Sequence, residues 1–197
     1  WENLTQSLHT SPVCALITES TKQTSRGTPI FIAGADVTER VDWTDDEVKK
    51  HVRWQRRTLA ALRKAPVFHI ALVDGLALGW GTEFLITADY RIATPNARFS
   101  LPETGIGILP GAGGTSELSR IVGINQALRL GMTGEQIDAD EALRIGLVDE
   151  VASDAATAKA RAMELAKLAA RRSPTAVAAF KQGVLSSQTM DESARQE

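Results

Sequence analysis

The sequence predicts an α/β core followed by an α-helical tail. Short apolar runs alternate with amphipathic helical patterns in the first half, and alanine-rich helical patterns fill the second half. This order of elements is typical of a strand-and-helix core with helices added at one end. With 197 residues, 43% of them hydrophobic, the chain can bury one good core. We expect the α/β core over residues 1–125 and a helical region over residues 126–197.

Three apolar runs predict the first strands. Residues 13–18 and 29–32 flank a polar loop marked by glycine and proline. Residues 67–73 are mostly apolar, as in a strand that is buried on both faces, and Asp74-Gly75 ends this run.

A clear helix begins after Thr44. Thr44 and Glu47 have the spacing of a capping box, and apolar residues then recur at helical intervals up to Pro66. The polar face carries His51, Arg53, Arg56 and Arg57. It is most simply a solvated face, and a basic patch for an anionic ligand is the alternative.

The remaining elements follow from periodicity and turn residues. We expect short extended pieces at residues 90–93, 98–101 and 147–151. We expect helices at about residues 80–88, 115–122, 125–130, 138–146, 155–172 and 174–185.

Composition excludes several classes of function. The net charge is −2, and lysine and arginine are spread among acids, which argues against nucleic-acid binding. No apolar run approaches the roughly 20 residues that span a bilayer, and no signal peptide is visible. The three histidines lack the spacing of a metal site, so no metal is expected.

The single Cys14 excludes an internal disulfide and is expected to pack in a strand. Because the chain opens at Trp1, we expect a fragment or a processed product.

Two glutamates beside glycine-rich turns are the candidate catalytic residues. Glu83 follows Gly79 and Gly81, and Glu103 lies just before Gly105. Small residues let a ligand approach the main chain, and carboxyl groups supply acid and base. Either glutamate alone would more often be a surface acid, so the hypothesis depends on their occurring together.

The start of the helix near residue 80 predicts an oxyanion hole. The first N–H groups of a helix have no internal partner and carry partial positive charge, so the N–H of Trp80 can hold a carbonyl oxygen. The N–H of Ala35, after the second strand, can supply a second donor. Glu83 lies three residues after Trp80, on the same face of the helix. The simpler alternative is that the glycines only allow tight packing of strand and helix.

Other glycine-based sites are excluded. The run at residues 105–114 lacks the lysine of a P-loop, and Pro110 breaks the dinucleotide pattern. There is no G-x-S-x-G motif of a serine hydrolase.

Taken in order, these segments resemble the crotonase superfamily, also called the enoyl-CoA hydratase/isomerase family. The matching segments are residues 31–36, 74–83 with 88–89, 99–107, 110–114 with 119–123, and 142–151. The likeness covers about residues 13–185, and the family's first strands are mostly absent. It implies a spiral of short strands and helices with a C-terminal helical region that covers the active site or a neighbouring subunit.

The resemblance implies an acyl-CoA ligand whose thioester carbonyl lies between the N–H groups of Ala35 and Trp80. The substrate and CoA moiety would lie along Ala33, Gly34, Asp36, Val37, Thr38 and Gly79. CoA is part of the substrate, and no further cofactor is implied. Family analogy also implies a homo-oligomer, a trimer or a pair of trimers. We expect no membrane partner and a cytoplasmic location, with an organellar matrix as the alternative.

Members with both glutamates resemble true hydratases, which add water to a 2-enoyl-CoA. By that analogy Glu83 activates the water and Glu103 delivers the proton to the α-carbon. The alternatives are another acyl-CoA reaction (double-bond isomerisation, thioester hydrolysis or decarboxylation) and a catalytically silent scaffold or RNA-binding member.

Two features depart from the family pattern. Trp80 stands where glycine is common. Its indole either narrows the acyl pocket or stacks on an aromatic or cyclic acyl group, or else it packs into the core. The loop at residues 19–29 is longer than usual, and we interpret it as a surface insertion rather than a change in CoA access.

Overall fold

A computed structural model describes residues 2–187 of the chain. Its strands are β1 (Ala15–Thr18), β2 (Lys22–Gln23), β3 (Pro29–Ile32), β4 (Phe68–Val73), β5 (Leu76–Leu78), β6 (Tyr90–Ala93), β7 (Arg98–Ser100), β8 (Ile137–Asp138) and β9 (Glu150–Val151). Its helices are α1 (Glu2–Thr10), α2 (Asp45–Arg63), α3 (Trp80–Leu85), α4 (Leu118–Val122), α5 (Ile124–Thr133), α6 (Ala139–Arg144), α7 (Ala155–Ala170) and α8 (Pro174–Ser187). Two short 3-10 helices span Val37–Arg40 and Pro102–Ile106.

The strands form two sheets that the chain visits in turn. One sheet has the order β1-β4-β6-β9 and is parallel throughout. The other has the order β2-β3-β5-β7-β8, with parallel pairing in the middle and antiparallel pairing at both edges. Each pair of consecutive strands β4–β5 and β6–β7 adds its first strand to the parallel sheet and its second strand to the other sheet. This alternation produces the predicted spiral.

Glycine makes one of the corners of this spiral possible. Gly75 joins β4 to β5 with a φ of +95°, and a Cβ atom there would lie 1.9 Å from the carbonyl oxygen of Pro29. Any side chain would therefore collide with the edge of β3, in a backbone conformation that side chains already disfavour. The predicted strand end at Asp74-Gly75 is this corner.

The middle strand β4 is buried on both faces, as predicted. Ile70 and Leu72 point into a small apolar cluster that includes Ala158 and Ala162 of α7. Ala71 and Val73 point the opposite way, into the main core. Because side chains alternate along a strand, this division between two clusters explains the nearly continuous apolar run.

Most predicted elements are confirmed, with shorter ends. The capping box at Thr44 is present, with the Glu47 N–H donating to Thr44 and the Glu47 carboxylate accepting from the Thr44 N–H. The helix predicted for residues 80–88 ends at Leu85, and the one predicted from residue 115 begins at Leu118. Cys14 lies one residue before β1 and is only half-buried, so its placement within a strand was wrong.

The structure also contains elements that the sequence did not indicate. These are α1, β2, β5 and β8. The three strands have only two or three residues each, too few for a period to emerge. Strand β2 gives the long loop at residues 19–29 a short antiparallel pairing with β3.

The C-terminal region is joined to the core through both sheets. Strands β8 and β9 pair with β7 and β6. The division at residue 125 stays a prediction. Between residues 2 and 187, no helix combines the length and the apolar character needed to cross a membrane.

Candidate active site

Glu83 is a buried acid that is held by main-chain amides. Its side chain lies on α3, and the residue is only 3% exposed. One oxygen, Oε1, accepts hydrogen bonds from the N–H groups of Ala112, Gly113 and Gly114 at 2.7, 2.9 and 2.8 Å. Consecutive N–H groups aimed at one point form an anion-binding nest. The loop at residues 110–114 therefore stabilises a negative charge on a buried carboxylate.

Two glycines place α3 so that Glu83 points inward. Gly79 caps the helix with a φ of 53° and accepts from the Glu83 N–H through its carbonyl at 3.1 Å. A Cβ atom on Gly81 would lie 2.1 Å from the carbonyl oxygen of Ile32, so glycine lets α3 touch β3. The predicted tight packing of helix and strand is thus present together with the inward-facing acid.

Glu103 reaches the same place from a different element. It lies in the 3-10 helix Pro102–Ile106 and is half-buried. Its Oε2 atom is buried without a hydrogen-bond partner among the described residues. A Cβ atom on Gly79 would lie 2.6 Å from the Glu103 Oε1 atom, so the glycine leaves room for this carboxyl. The absence of a side chain at residue 79 thus serves both acids.

The two acids line one cavity of about 130 Å³. Its walls bring together most of the predicted site, namely Ala33, Gly34, Ala35, Gly79, Trp80, Glu83 and Glu103. Gly111 and Ala112 close it on the side of the amide nest, and Val52 and Gln55 of α2 add a further wall. Residues far apart in the sequence therefore line one cavity.

Three predicted CoA-binding residues lie outside the lining of this cavity. Asp36 and Thr38 are exposed, and the N–H and hydroxyl of Thr38 donate to Asp36 Oδ1 at 2.9 and 2.6 Å. These bonds, the side-chain bond first, lower the pKa of Asp36. Val37 begins the 3-10 helix Val37–Arg40, and its side chain is outside the described part of the structure. The local role of Asp36 is to cap this helix.

The indole of Trp80 packs with the core. Its ring centroid lies 5.7 Å from that of Phe84, and the residue packs against the main core cluster. The indole Nε1 atom is buried and has no partner among the described residues. Of the two alternatives for Trp80, these contacts favour core packing.

Burial perturbs both acids, but their environments differ. Burial raises the pKa of Glu83, and the neighbouring Glu103 raises it further, whereas the three amides of the nest lower it. Burial also raises the pKa of Glu103, which has no comparable set of donors. Like charges and apolar walls can keep one carboxyl of such a pair protonated at neutral pH.

A second, larger cavity of about 710 Å³ borders Glu83 and Ala112 from another side. Helices α2 and α8 form much of its wall, including Leu59 and Leu185. Helix α8 is anchored by Lys181, whose Nζ donates to Asp89 at 2.7 Å. The predicted C-terminal helical region thus reaches the neighbourhood of Glu83.

Sequence analysis missed the role of the amides at residues 112–114 and of Arg56. The glycine run contained the signal for the nest, because a Cβ atom on Gly114 would lie 2.7 Å from Pro110 Cβ and would force the loop to shift. Arg56 was interpreted as part of a solvated face, and it is exposed, but its Nε donates to the carbonyl of Gly111 at 2.9 Å. Within residues 2–187, no group of three histidine, cysteine or acidic side chains has the arrangement of a metal site.

Comparisons with known proteins identify the family. The family model for enoyl-CoA hydratase/isomerase matches residues 23–197. The short-chain-enoyl-CoA hydratase of Clostridium acetobutylicum is 41% identical over 161 residues, which are 82% of this chain and 61% of that protein. The probable mitochondrial enoyl-CoA hydratase 2 of Arabidopsis thaliana is 39% identical over 155 residues, covering 79% of this chain and 51% of that protein. The chain therefore spans about three fifths of the first of these relatives and half of the second.

Solved structures agree with this result. The crystal structure of enoyl-CoA hydratase from Bacillus anthracis has a TM-score of 0.89 at 32% identity and covers 98% of this chain and 73% of that one. Enoyl-CoA hydratase/isomerase from Cupriavidus metallidurans has a TM-score of 0.83 at 27% identity, with coverage of 98% and 71%. The predicted crotonase-like fold is confirmed. The chain belongs to the enoyl-CoA hydratase/isomerase family.

Proposed function

We propose that this chain carries the active site of a hydro-lyase that adds water to the double bond of a 2-enoyl-CoA thioester. The observation that carries the proposal is the cavity where Glu83 and Glu103 meet beside two glycine-rich turns. The names of the relatives from Clostridium acetobutylicum and Arabidopsis thaliana point to the same reaction.

The proposed oxyanion hole consists of the main-chain N–H groups of Ala35 and Trp80, which both line the cavity. Trp80 is the first residue of α3, where an N–H has no acceptor within the helix. Gly34 has a φ of +108°, which gives the chain a sharp turn just before Ala35. Two such donors would stabilise the enolate oxygen that forms when water attacks the β-carbon, each by about 3 kcal/mol.

The surroundings of the two acids support different roles. Because the three amides bind the Oε1 atom of Glu83, that residue can hold a negative charge and act as the base that activates water. Its Oε2 atom is then left for the water. Glu103 lacks such donors, so burial favours its protonated form, which can deliver a proton to the α-carbon.

The remaining parts of the proposal concern the ligand and the assembly. The CoA moiety would lie along Asp36, Val37 and Thr38, outside the cavity that holds the reacting carbons. No cofactor beyond the CoA of the substrate is needed for this chemistry. Exposed apolar side chains on α8, including Phe180 at 76% exposure, are compatible with a homotrimer or a pair of trimers.

The test is the conversion of crotonyl-CoA, followed by loss of the absorbance of its conjugated double bond. The Glu83→Gln and Glu103→Gln variants should each lower kcat for hydration by roughly 10²- to 10⁴-fold. An isomerase would tolerate one of the two changes, and a thioester hydrolase would release free CoA. Binding of crotonyl-CoA without turnover would identify a catalytically silent protein and overturn the proposal.

A further inference from the structure

The three amides that hold Glu83 are anchored in different ways. The N–H of Gly114 belongs to the same peptide as the carbonyl of Gly113, which accepts from the N–H groups of Ser116 and Glu117 at 3.1 and 2.7 Å. That peptide is therefore fixed by the turn that follows it. The N–H of Ala112 belongs to the same peptide as the carbonyl of Gly111.

The Gly111 carbonyl is held by α2 rather than by its own loop. Arg56 Nε donates to this oxygen at 2.9 Å. Val52, one helical turn before Arg56, packs against the same residue. A Cβ atom on Gly111 would lie only 3.0 Å from Val52 Cγ1. Residues four apart share a helix face, so α2 holds Gly111 with an apolar and a cationic side chain together.

A trans peptide is planar, so its carbonyl and its N–H point in opposite directions. The guanidinium of Arg56 thus binds one end of the peptide between residues 111 and 112, and the carboxylate of Glu83 binds the other end at 2.7 Å. Hydrogen bonds in such a chain polarise one another. We infer that Arg56 is a positioning residue for Glu83, because it fixes the peptide whose N–H holds the Glu83 carboxylate.

Other charged groups near Glu83 do not make this contact. The smaller cavity brings Arg40 and Glu103 to one side of Glu83. The larger cavity brings His9, Arg63, Lys64, Glu117, Arg120 and Lys181 to the other. Arg63 and Arg120 pair with Glu117, and Lys181 pairs with Asp89, so these cations form their ion pairs with acids other than Glu83.

The kinetic test of this inference rests on the proposed function. A second readout, the titration of the Glu83 carboxyl, does not depend on that function. Arg56→Met removes both the donor and the charge, so the Glu83 anion is less stabilised and the pKa of Glu83 should rise. Infrared difference spectra against Glu83→Gln, recorded as a function of pH, follow this carboxyl directly in the whole chain. The acid limb of kcat/KM should move to higher pH by the same amount.

The rate should change in a way that separates positioning from substrate binding. We expect kcat for crotonyl-CoA to fall on the order of tenfold in Arg56→Met, with KM nearly unchanged, since misplacing a reacting group slows chemistry rather than binding. Arg56→Lys keeps the charge and should recover part of both effects. Arg57→Met is the matched control, because Arg57 is a neighbouring exposed cation of α2.

The outcomes decide the inference even if hydration fails. An unchanged infrared titration of Glu83 in a folded Arg56→Met variant overturns it, whether or not the wild type hydrates crotonyl-CoA. Equal rises in KM for Arg56→Met and Arg57→Met would instead assign the arginines to binding the substrate's phosphates, and would also overturn it. If the wild-type chain showed no turnover but Arg56→Met still shifted the titration of Glu83, the proposed function would be wrong and the inference about Arg56 would stand.

Discussion

Glu83 and Glu103 face one cavity but are supported by different kinds of structure. Glu83 is on a helix, almost fully buried, with one oxygen enclosed by three amides. Glu103 is on a short 3-10 helix, half-buried, with one oxygen that has no partner in the described part of the chain. Burial raises the pKa of both, so the difference between them comes from the donors. Under the proposed function, the different surroundings prepare these identical side chains for opposite roles.

The largest predicted effect separates these roles by pH. A base with a raised pKa loses its active form as pH falls through that pKa, and an acid loses its active form as pH rises through its own. The pKa of Glu83, which is raised above its ordinary value of 4.5, should therefore set the acid limb of kcat/KM. The pKa of Glu103, which is also raised, should set the alkaline limb. Glu83→Gln should remove the acid limb and Glu103→Gln the alkaline limb, each with a loss of roughly 10²- to 10⁴-fold in kcat.

These profiles have a matched control in Glu164→Gln, which changes an exposed acid on α7. It should behave as the wild type. If Glu83→Gln removed the alkaline limb instead, the roles of the two acids would be reversed.

The next largest effect should come from the amide nest. In Gly114→Ala the new Cβ would lie 2.7 Å from Pro110 Cβ and 3.3 Å from Glu83 Oε1, so the loop must shift. We expect kcat to fall on the order of 100-fold, because the Glu83 anion loses aligned donors. Steady-state kinetics with crotonyl-CoA measures this change.

Gly105→Ala provides the comparison, since a Cβ atom there meets nothing within 4 Å. Its kcat should stay within about threefold of the wild type, as expected for a surface change that touches no special feature. Equal losses in the two variants would show that the glycines act through chain flexibility rather than through the nest.

The smallest effect should come from the indole of Trp80, which packs against the main core. Trp80→Phe keeps an aromatic ring beside Phe84 and leaves the main-chain N–H in place. We expect kcat and KM for crotonyl-CoA to stay within about threefold, with unfolding easier by about 1 kcal/mol. A KM that rises more than tenfold for bulky or aromatic acyl groups would place the indole in the acyl pocket instead.

Much of this site was predictable because it depends on local rules. A glycine turn, a helix start and an acid three residues later fix the relation of Gly79, Trp80 and Glu83 within one element. The capping box at Thr44 was visible for the same reason. The relative positions of residues within one helix or turn follow from their spacing in the sequence and do not depend on distant contacts.

What the sequence did not reveal depends on contacts between distant segments. Strand β5 has three residues and exists because β3 and β7 flank it, not because of its own pattern. Arg56 resembles Arg53 and Arg57 in the sequence, and only the approach of the 110–114 loop distinguishes it. The amides that bind Glu83 likewise belong to residues that follow it by 29 to 31 positions in the sequence.

The central claim is tested most directly by a crystal structure with an unreactive analogue of a 2-enoyl-CoA. The account predicts the thioester oxygen within hydrogen-bond distance of the N–H groups of Ala35 and Trp80, with both carboxyls beside the double bond. A thioester oxygen held elsewhere, or a Glu103 side chain turned away from the acyl group, would contradict it.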